Sequence, residues 1–322
     1  MKAVYAERPC PDDPLTVLRF GERPEPEPPD EDWTVVTVRS AGLNHHDLWT
    51  LRGSGVPAHR YPLTLGVECA GTDESGRPVI VHGMVYGREF LGHPVRDPEW
   101  TMLGEGRPGT LAERVAVPRH TLIPKPPQLS FAEAGAITGT WLTAYRMLFT
   151  RAGLLPGQTV LVQGSGGGLS TALIRLGRAA GLRIWATSRD EWKRELATEL
   201  GADQVFAAGA PLPERVDAVM ESVGRETWAH SLRSVRAGGC VVVAGATTGA
   251  LPPAHLTRIF WNELRVLGVM CGTMEELRGL LTFMVAHGLR PYIHREFPAE
   301  YGVEGFRLLA RGQIGGKIVL NW

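Results

Sequence analysis

An excess of charge of either sign is missing from this 322-residue chain: 34 lysines and arginines face 34 aspartates and glutamates, for a formal net charge of zero. A neutral chain has no global field to draw in nucleic acid or an anionic membrane, although a local basic cluster can still bind phosphate. Long apolar runs are also lacking. Mean hydropathy is −0.07 and no stretch approaches the roughly 18 apolar residues a membrane-spanning helix needs, so none is expected. Cysteine is scarce. Cys10, Cys69, Cys240 and Cys271 show no C-x-x-C spacing and no paired framework. That excludes a disulfide scaffold and points to free thiols in a reducing cytoplasm. The N-terminal segment reaches Glu7 and Arg8 before a signal-peptide core forms, so no secretory leader is expected. Glycine, by contrast, is plentiful: 39 residues, well above the typical ~7%.

The length exceeds what one hydrophobic core usually serves, so two domains are expected. The first third reads as strands and turns, with Val-rich or alternating runs at 15–20, 33–43, 66–73, 78–82 and 111–117. The stretch Arg23-Pro24-Glu25-Pro26-Glu27-Pro28-Pro29 fits an extended connection between strands better than a partner-binding polyproline segment. Ser130 and Glu133 have capping-box spacing and open a helical stretch. From Thr159 strands and helices alternate. Strands are expected at 159–163, 183–187, 216–220, 239–244 and 265–270, with helices at 168–180, 190–200, 226–235 and 256–262. Apolar strands such as Cys240-Val241-Val242-Val243-Ala244 suit a parallel sheet covered on both faces, hence a doubly wound α/β unit. A helix over 273–287, a strand near 292–296, a helix near 300–310 and a last strand at 317–320 then complete the first domain. The expected division is 1–138 completed by 272–322, and 139–271.

Thr159-Val160-Leu161-Val162-Gln163 runs into Gly164-Ser165-Gly166-Gly167-Gly168-Leu169 and then an amphipathic helix. Strand, glycine turn and helix in that order give a nucleotide fingerprint its meaning. Glycines allow a sharp bend and bring main-chain N–H groups against a pyrophosphate, where the helix N-terminus adds partial positive charge. Leu169 stands where the last glycine of G-x-G-x-x-G belongs. A merely tight structural turn is the competing reading. Ser165 is not a hydrolase nucleophile, because Gln163 occupies the place of the first glycine of G-x-S-x-G. The second strand ends in Ser188-Arg189, with Lys193 one turn further, rather than in the acidic residue of an NAD site. These three suit a ribose 2′-phosphate and favour NADP. Against this, Ser188 as a simple helix cap with Glu191 at N3 leaves the basic residues solvated, and Asp190 can serve a ribose hydroxyl.

Seven landmarks then occur in order: Ala41-Gly42-Leu43-Asn44-His45-His46-Asp47, Leu65-Gly66-Val67-Glu68-Cys69-Ala70-Gly71, Gly109-Thr110-Leu111-Ala112-Glu113, Leu142-Thr143-Ala144-Tyr145, the glycine loop, Leu200-Gly201-Ala202-Asp203 and Gly316-Lys317-Ile318-Val319. With them the chain resembles the medium-chain dehydrogenase/reductase superfamily over essentially its whole length. The resemblance implies an α/β protein with a GroES-like, β-rich catalytic domain interrupted by a doubly wound Rossmann cofactor domain, and an active site between them. Zinc members carry C-H-x-D where this chain has Asn44-His45-His46-Asp47, and G-H-E where it has Gly66-Val67-Glu68. Their third ligand falls near Gly139-Thr140, and the four-cysteine lobe is absent from 83–110. A catalytic zinc needs three protein ligands and an open position, and only Glu68 survives. The resemblance is therefore to the zinc-less branch of quinone oxidoreductases and enoyl reductases, and no metal is expected.

The same resemblance assigns residues. Asn44 and His46 are the candidate catalytic groups, one as an amide donor to a substrate oxygen and the other as a proton carrier near neutrality; packing within the first domain is the alternative for His46. Trp49 stands where quinone oxidoreductases often have Tyr and cannot itself supply a proton. Asp47 orients its neighbours or caps the helix beginning there. The cofactor set is His45, Thr143, Gly164, Gly166, Gly167, Gly168, Leu169, Ser188, Arg189, Lys193, Val223, Gly245, Ala246, Thr247, Met270 and Lys317. Residues 83–110, with Tyr86, Phe90, His93 and Trp100, read as a substrate lid or an ordinary surface loop. The expected activity is NADPH-dependent hydride transfer to an activated C=C of a quinone, enone or enoyl thioester, in a cytoplasmic homodimer acting on a small hydrophobic carbonyl or quinone-like compound. Neither nucleic acid nor membrane is an expected partner. Zinc-less carbonyl reduction or alcohol oxidation, a redox-neutral cyclase or isomerase, and a non-catalytic NADPH-binding protein are the alternatives on the same fold.

Overall fold

Short β-branched runs punctuated by proline and glycine give the front of the chain its strands. In the computed structural model, which describes residues 1–322, these are β1 (Lys2–Ala6), β2 (Leu18–Glu22), β3 (Trp33–Gly42), β4 (Leu63–Thr64), β5 (Cys69–Thr72), β6 (Pro78–Val81), β7 (Met84–Val85), β8 (Thr101–Met102), β9 (Arg114–Pro118) and β10 (Leu122–Pro124). Helix α1 (His45–Arg52) follows β3, and α2 (Phe131–Ala134) follows β10. The capping box at α2 is present in full: the Ser130 hydroxyl accepts from Glu133 N–H at 3.1 Å and Glu133 accepts from Ser130 N–H at 2.7 Å. The strand expected at 15–20 begins late, because Pro14 starts a 3-10 turn over Pro14–Val17 before β2. The proline stretch is the extended link from β2 to β3.

The middle of the chain carries α3 (Trp141–Tyr145), β11 (Thr159–Val162), α4 (Gly168–Ala179), β12 (Arg183–Ser188), α5 (Glu191–Glu199), β13 (Gln204–Ala207), β14 (Val216–Glu221), α6 (Arg225–Ser234), β15 (Val235–Val243), α7 (Leu256–Trp261) and β16 (Arg265–Gly268). Its six strands are parallel in the order β13-β12-β11-β14-β15-β16. Counted within this unit that is 3-2-1-4-5-6, the doubly wound order in which ligands bind outside the carboxyl ends of the strands. Strand β13 was not expected. It is a four-residue edge strand, half-buried at most, so it lacks the apolar run that marks its neighbours. Val160, Leu161, Val162, Ala218, Val219, Val241 and Val242 are fully buried, as a sheet covered on both faces requires.

The tail supplies α8 (Met274–Ala286), β17 (Ile293–Pro298), α9 (Gly302–Arg311) and β18 (Lys317–Asn321). Strand β18 pairs antiparallel with β3, and β17 lies parallel beyond it, extending a sheet of order β10-β6-β5-β3-β18-β17 with β9 also on β3. The chain thus divides into two compact units, Met1–Gly139 with Thr273–Trp322, and Thr140–Gly272. The first has its own core, in which Phe306 of α9 and Ile318 and Leu320 of β18 pack with Val36, Val38, Leu43 and Leu51. The tail is therefore integral to the first unit. No helix is long and apolar enough to cross a membrane.

Candidate functional site

In the first unit, the end of β3, the loop before β5 and the start of β18 bring three polar side chains together with almost no solvent. The Lys317 ammonium donates to Glu68 Oε1 at 2.6 Å, to Asn44 Oδ1 at 2.7 Å and to the Leu43 carbonyl at 2.7 Å. Lys317 and Glu68 side chains are 3% and 1% exposed. Glu68 Oε1 also accepts from Asn44 Nδ2 at 2.9 Å, and Oε2 accepts from Gly139 N–H at 2.7 Å. The remaining Asn44 proton is directed at the Gly42 carbonyl, 3.2 Å away. An ammonium 2.7 Å from Oδ1 fixes the amide orientation, since the flipped group would set NH₂ against NH₃⁺.

This arrangement bears on two assignments. Both amide protons of Asn44 are used within the protein, so the amide offers no spare donor to a substrate oxygen. All three Lys317 protons rest on protein acceptors, so this lysine is a buried counter-charge to Glu68. The donor set also does not fit zinc: both Glu68 oxygens already accept protein hydrogen bonds, one of them from an ammonium, and no group of three or more His, Cys, Asp or Glu side chains is placed to hold a metal ion.

Two residues beyond Asn44, in the first turn of α1, His46 Nε2 lies 2.6 Å from Glu105 Oε1. Burial alone lowers the His46 pKa, but the Glu105 hydrogen bond and the charges of Asp47 and Glu105 outweigh it and raise the value above 6.5. Asp47 is fully buried, and desolvation raises its pKa against the lowering by His46, Asn44 N–H, Lys317 and Gly66 N–H. Its carboxylate accepts from Asn44 N–H at 2.8 Å and from Gly66 N–H at 3.0 Å, so it caps α1 and ties it to the loop carrying Glu68. His45 is exposed on the first turn, and Trp49, four residues on, is half-buried. Within 83–110, β7 pairs with β8, and Asp97 accepts from Gly87 and Glu99 N–H groups. Leu91 projects from the segment, 92% exposed.

In the second unit the glycine turn has the required shape. Gly164 and Gly166 have φ of +71° and +105°, conformations that disfavour any side chain. An added Cβ would lie 2.6 Å from Val223 Cγ2 at Gly164, and 2.7 Å from Lys193 Cδ at Gly166. Gly167 is the N-cap of α4 and provides no side-chain cap. The first helical bond runs from Thr171 N–H to Gly167 at 2.9 Å, so the N–H groups of Gly168, Leu169 and Ser170 precede the ladder. A backbone cradle of this kind fits a pyrophosphate.

The basic residues stand around this turn with different freedom. Lys193 packs its stem on Gly166 and pairs with Asp190 at 2.9 Å. Arg189 is 77% exposed and only 3.9 Å from Glu226. Ser188 does not cap α5: the helix starts at Glu191 with Asp190 at the N-cap, and Ser188 Oγ instead accepts from Asp190 N–H at 3.3 Å. Val223 follows β14, Gly245, Ala246 and Thr247 follow β15, and Met270 follows β16, all at carboxyl ends of parallel strands. Thr143 is buried on α3.

Four contributors belong to none of the motifs that mark the candidate site. Glu105 sits in a turn whose partner is 59 positions away in the chain. Arg194 braces the end of β12 through the carbonyls of Ser188 and Arg189. Gln163, last before the glycine turn, accepts from the Thr187 hydroxyl at 2.7 Å and donates to His230 Nδ1 and Ser231 Oγ at 2.8 and 3.0 Å. Glu221, fully buried, accepts from Val223 and Gly224 N–H at 2.8 and 3.0 Å and holds the β14 loop. For the last two a signal exists: a polar residue terminating an otherwise apolar strand.

The known proteins that this chain resembles agree with both units. Residues 30–127 match the alcohol dehydrogenase GroES-like domain, and 168–286 match the zinc-binding dehydrogenase family. A solved structure of an NAD-dependent alcohol dehydrogenase superposes with a TM-score of 0.91 at 30% identity, covering 100% of both chains. The chain belongs to the medium-chain dehydrogenase/reductase superfamily. An alcohol dehydrogenase of Geobacillus stearothermophilus is 27% identical over 311 residues, 89% of this chain and 91% of that protein. A crotonyl-CoA carboxylase/reductase of Cereibacter sphaeroides is 28% identical over 329 residues, 84% of this chain and 75% of that protein. This medium-chain oxidoreductase therefore combines a GroES-like catalytic unit with a Rossmann nucleotide-binding unit.

Removing one member of a buried ion pair leaves the other charge without compensation, at a cost of about 3–5 kcal/mol. Lys317→Met is expected to lose that much stability in urea unfolding, and Lys317→Met with Glu68→Gln to recover a large part of it. Equal losses in the single and double variants would show that the pair is not coupled.

Proposed function

We propose that this medium-chain oxidoreductase is a zinc-independent, NADPH-dependent reductase of an activated C=C bond in a quinone, enone or enoyl thioester. The observation that carries the reading is the engagement of Glu68 by Lys317, Asn44 and Gly139, which gives the buried carboxylate an ammonium as its counter-charge and hydrogen bonds on both oxygens. Activation of the substrate then falls to an organic donor, and His46 is the titratable group beside that network. The similarity to a crotonyl-CoA carboxylase/reductase supports C=C chemistry. The similarity to alcohol dehydrogenases supports a second reading, zinc-less reduction of a carbonyl.

The glycine turn and the N–H groups of Gly168 and Leu169 would hold the pyrophosphate, with Arg189, Lys193 and Ser188 at a ribose 2′-phosphate. His45, Thr143, Val223, Gly245, Ala246, Thr247 and Met270 complete the proposed cofactor set. A bound NADPH supplies hydride. His46 supplies the proton, while Asn44 and Lys317 hold Glu68 in place beside α1. Trp49, half-buried on the same helix, offers apolar area for a small hydrophobic carbonyl or quinone-like substrate. The four cysteines are unpaired thiols, which suits a cytoplasmic enzyme. We also infer a homodimer. Strand β16 is a sheet edge, and Val266 on it and Phe260 and Trp261 beside it are 44%, 64% and 79% exposed.

NADPH with a panel of quinones, enones and enoyl thioesters is expected to yield C=C-reduced products in metal-free enzyme; activity recovered only with added zinc, or alcohols as the products, would overturn the assignment. Arg189→Ala is expected to weaken NADPH roughly tenfold while leaving NADH unchanged, the loss of one charged hydrogen bond. An equal loss for both cofactors would remove the 2′-phosphate assignment. Light scattering is expected to report a dimer mass, and Val266→Lys a shift to monomer.

A further inference from the structure

Glu105, the partner of His46, lies outside every motif in the chain. Glu105 is held on a turn after β8 by backbone bonds, Glu105 N–H to Met102 at 3.2 Å and Gly104 N–H to Arg107 at 2.9 Å. Arg60 donates to the Gly106 carbonyl at 2.9 Å and Thr50 Oγ1 approaches the Gly104 carbonyl at 3.4 Å, so the turn is pinned to α1 and the segment after it. The carboxylate thus meets Nε2 from a fixed platform, with the His46 and Glu105 side chains 16% and 28% exposed. The other ring nitrogen, Nδ1, is buried and has no hydrogen-bond partner. A buried polar atom without a partner costs about 1–3 kcal/mol, and its persistence in a folded protein calls for an explanation.

We propose that Glu105 is a positioning residue for His46: its carboxylate fixes the Nε2–H, keeps the ring cationic and leaves Nδ1–H as the proton delivered to substrate. This rests on the reading of His46 as the proton donor and names what sets its charge and its working nitrogen. In the step, the Nδ1–H bond breaks and the electron pair of the enolate takes the proton, forming the new C–H or O–H bond. The ring is left neutral, with Nε2–H still on Glu105, and a proton from water restores it after product leaves. The charges bearing on His46 are Asp47 from its own helix and Glu105 from the facing turn. Tyr61, whose hydroxyl donates to the Thr50 carbonyl, faces Glu105, and Lys317 faces Asp47.

The folded-state value of His46 is raised, so the stability this pair adds is complete below the ordinary 6.5 and fades as pH climbs through the raised value. Turnover limited by the protonated ring falls over the same alkaline window. Imidazole C2–H titration by NMR, with the His46 signal assigned from His46→Gln, tests the charge directly. Wild-type His46 is expected to titrate above 6.5, and Glu105→Gln to lower it by about one pH unit, the scale of an adjacent opposite charge. The alkaline limb of kcat is expected to move by the same amount, with Glu105→Asp restoring most of it. A wild-type value at or below 6.5, or one unchanged in Glu105→Gln, overturns the proposal, the first without need of a Glu105 variant. The titration needs no substrate, so failure of the C=C reductase reading is seen separately, in the product panel.

Discussion

A lysine ammonium and a glutamate carboxylate 2.6 Å apart, both nearly free of solvent, set the conditions for the rest of the first unit. Charges that deep are tolerated only when paired and hydrogen-bonded. Each neighbour here serves that requirement. Leu43 gives a carbonyl, Asn44 gives one acceptor and one donor, and Gly139 gives an N–H. The pair joins the end of β3, the loop before β5 and the first residue of β18, so residues near 44, 68 and 317 are locked at one place. Asp47 extends the lock by holding Gly66 to the first turn of α1, and that turn carries His46. The position of the histidine therefore depends on a network it does not touch.

The second unit solves a similar problem beneath its glycine turn. A turn that exposes N–H groups to a phosphate must itself be held from below. Gln163 does this by bridging Thr187 on the next strand to His230 and Ser231 on α6. His230 donates from Nε2 to the Ala210 carbonyl and accepts at Nδ1, so it is held neutral, and burial lowers its pKa in keeping with that role. Glu221 performs the same service for the loop after β14. Side chains buried under the loops, rather than those on them, give this edge of the sheet its rigidity.

Much of the fold was legible because its signals are local. Apolar runs of strand length alternate with amphipathic helices from Thr159 onward, and each falls within a few residues of its element. Strand β13 escaped because it is short, marginal and at an edge. The start of β2 was misplaced because Pro14 favours a tight turn that hydrophobic alternation does not reveal. Ser188 shows the limit on capping arguments: the residue type was right, but Asp190 two positions later took the N-cap.

What the sequence determined by itself was composition and local order: a β-rich front, a nucleotide turn of glycines opening a helix, and a mismatch with the zinc ligand pattern at Asn44 and Val67. These follow from residue types at short spacing, where chain geometry leaves few alternatives. Tertiary structure alone decided the partners. It placed Lys317, 249 positions from Glu68, on that carboxylate and so used up the amide of Asn44. It brought Glu105 from a featureless turn onto His46. Such pairings depend on how strands and loops close in space, and no periodicity or motif encodes a contact between residues so far apart along the chain.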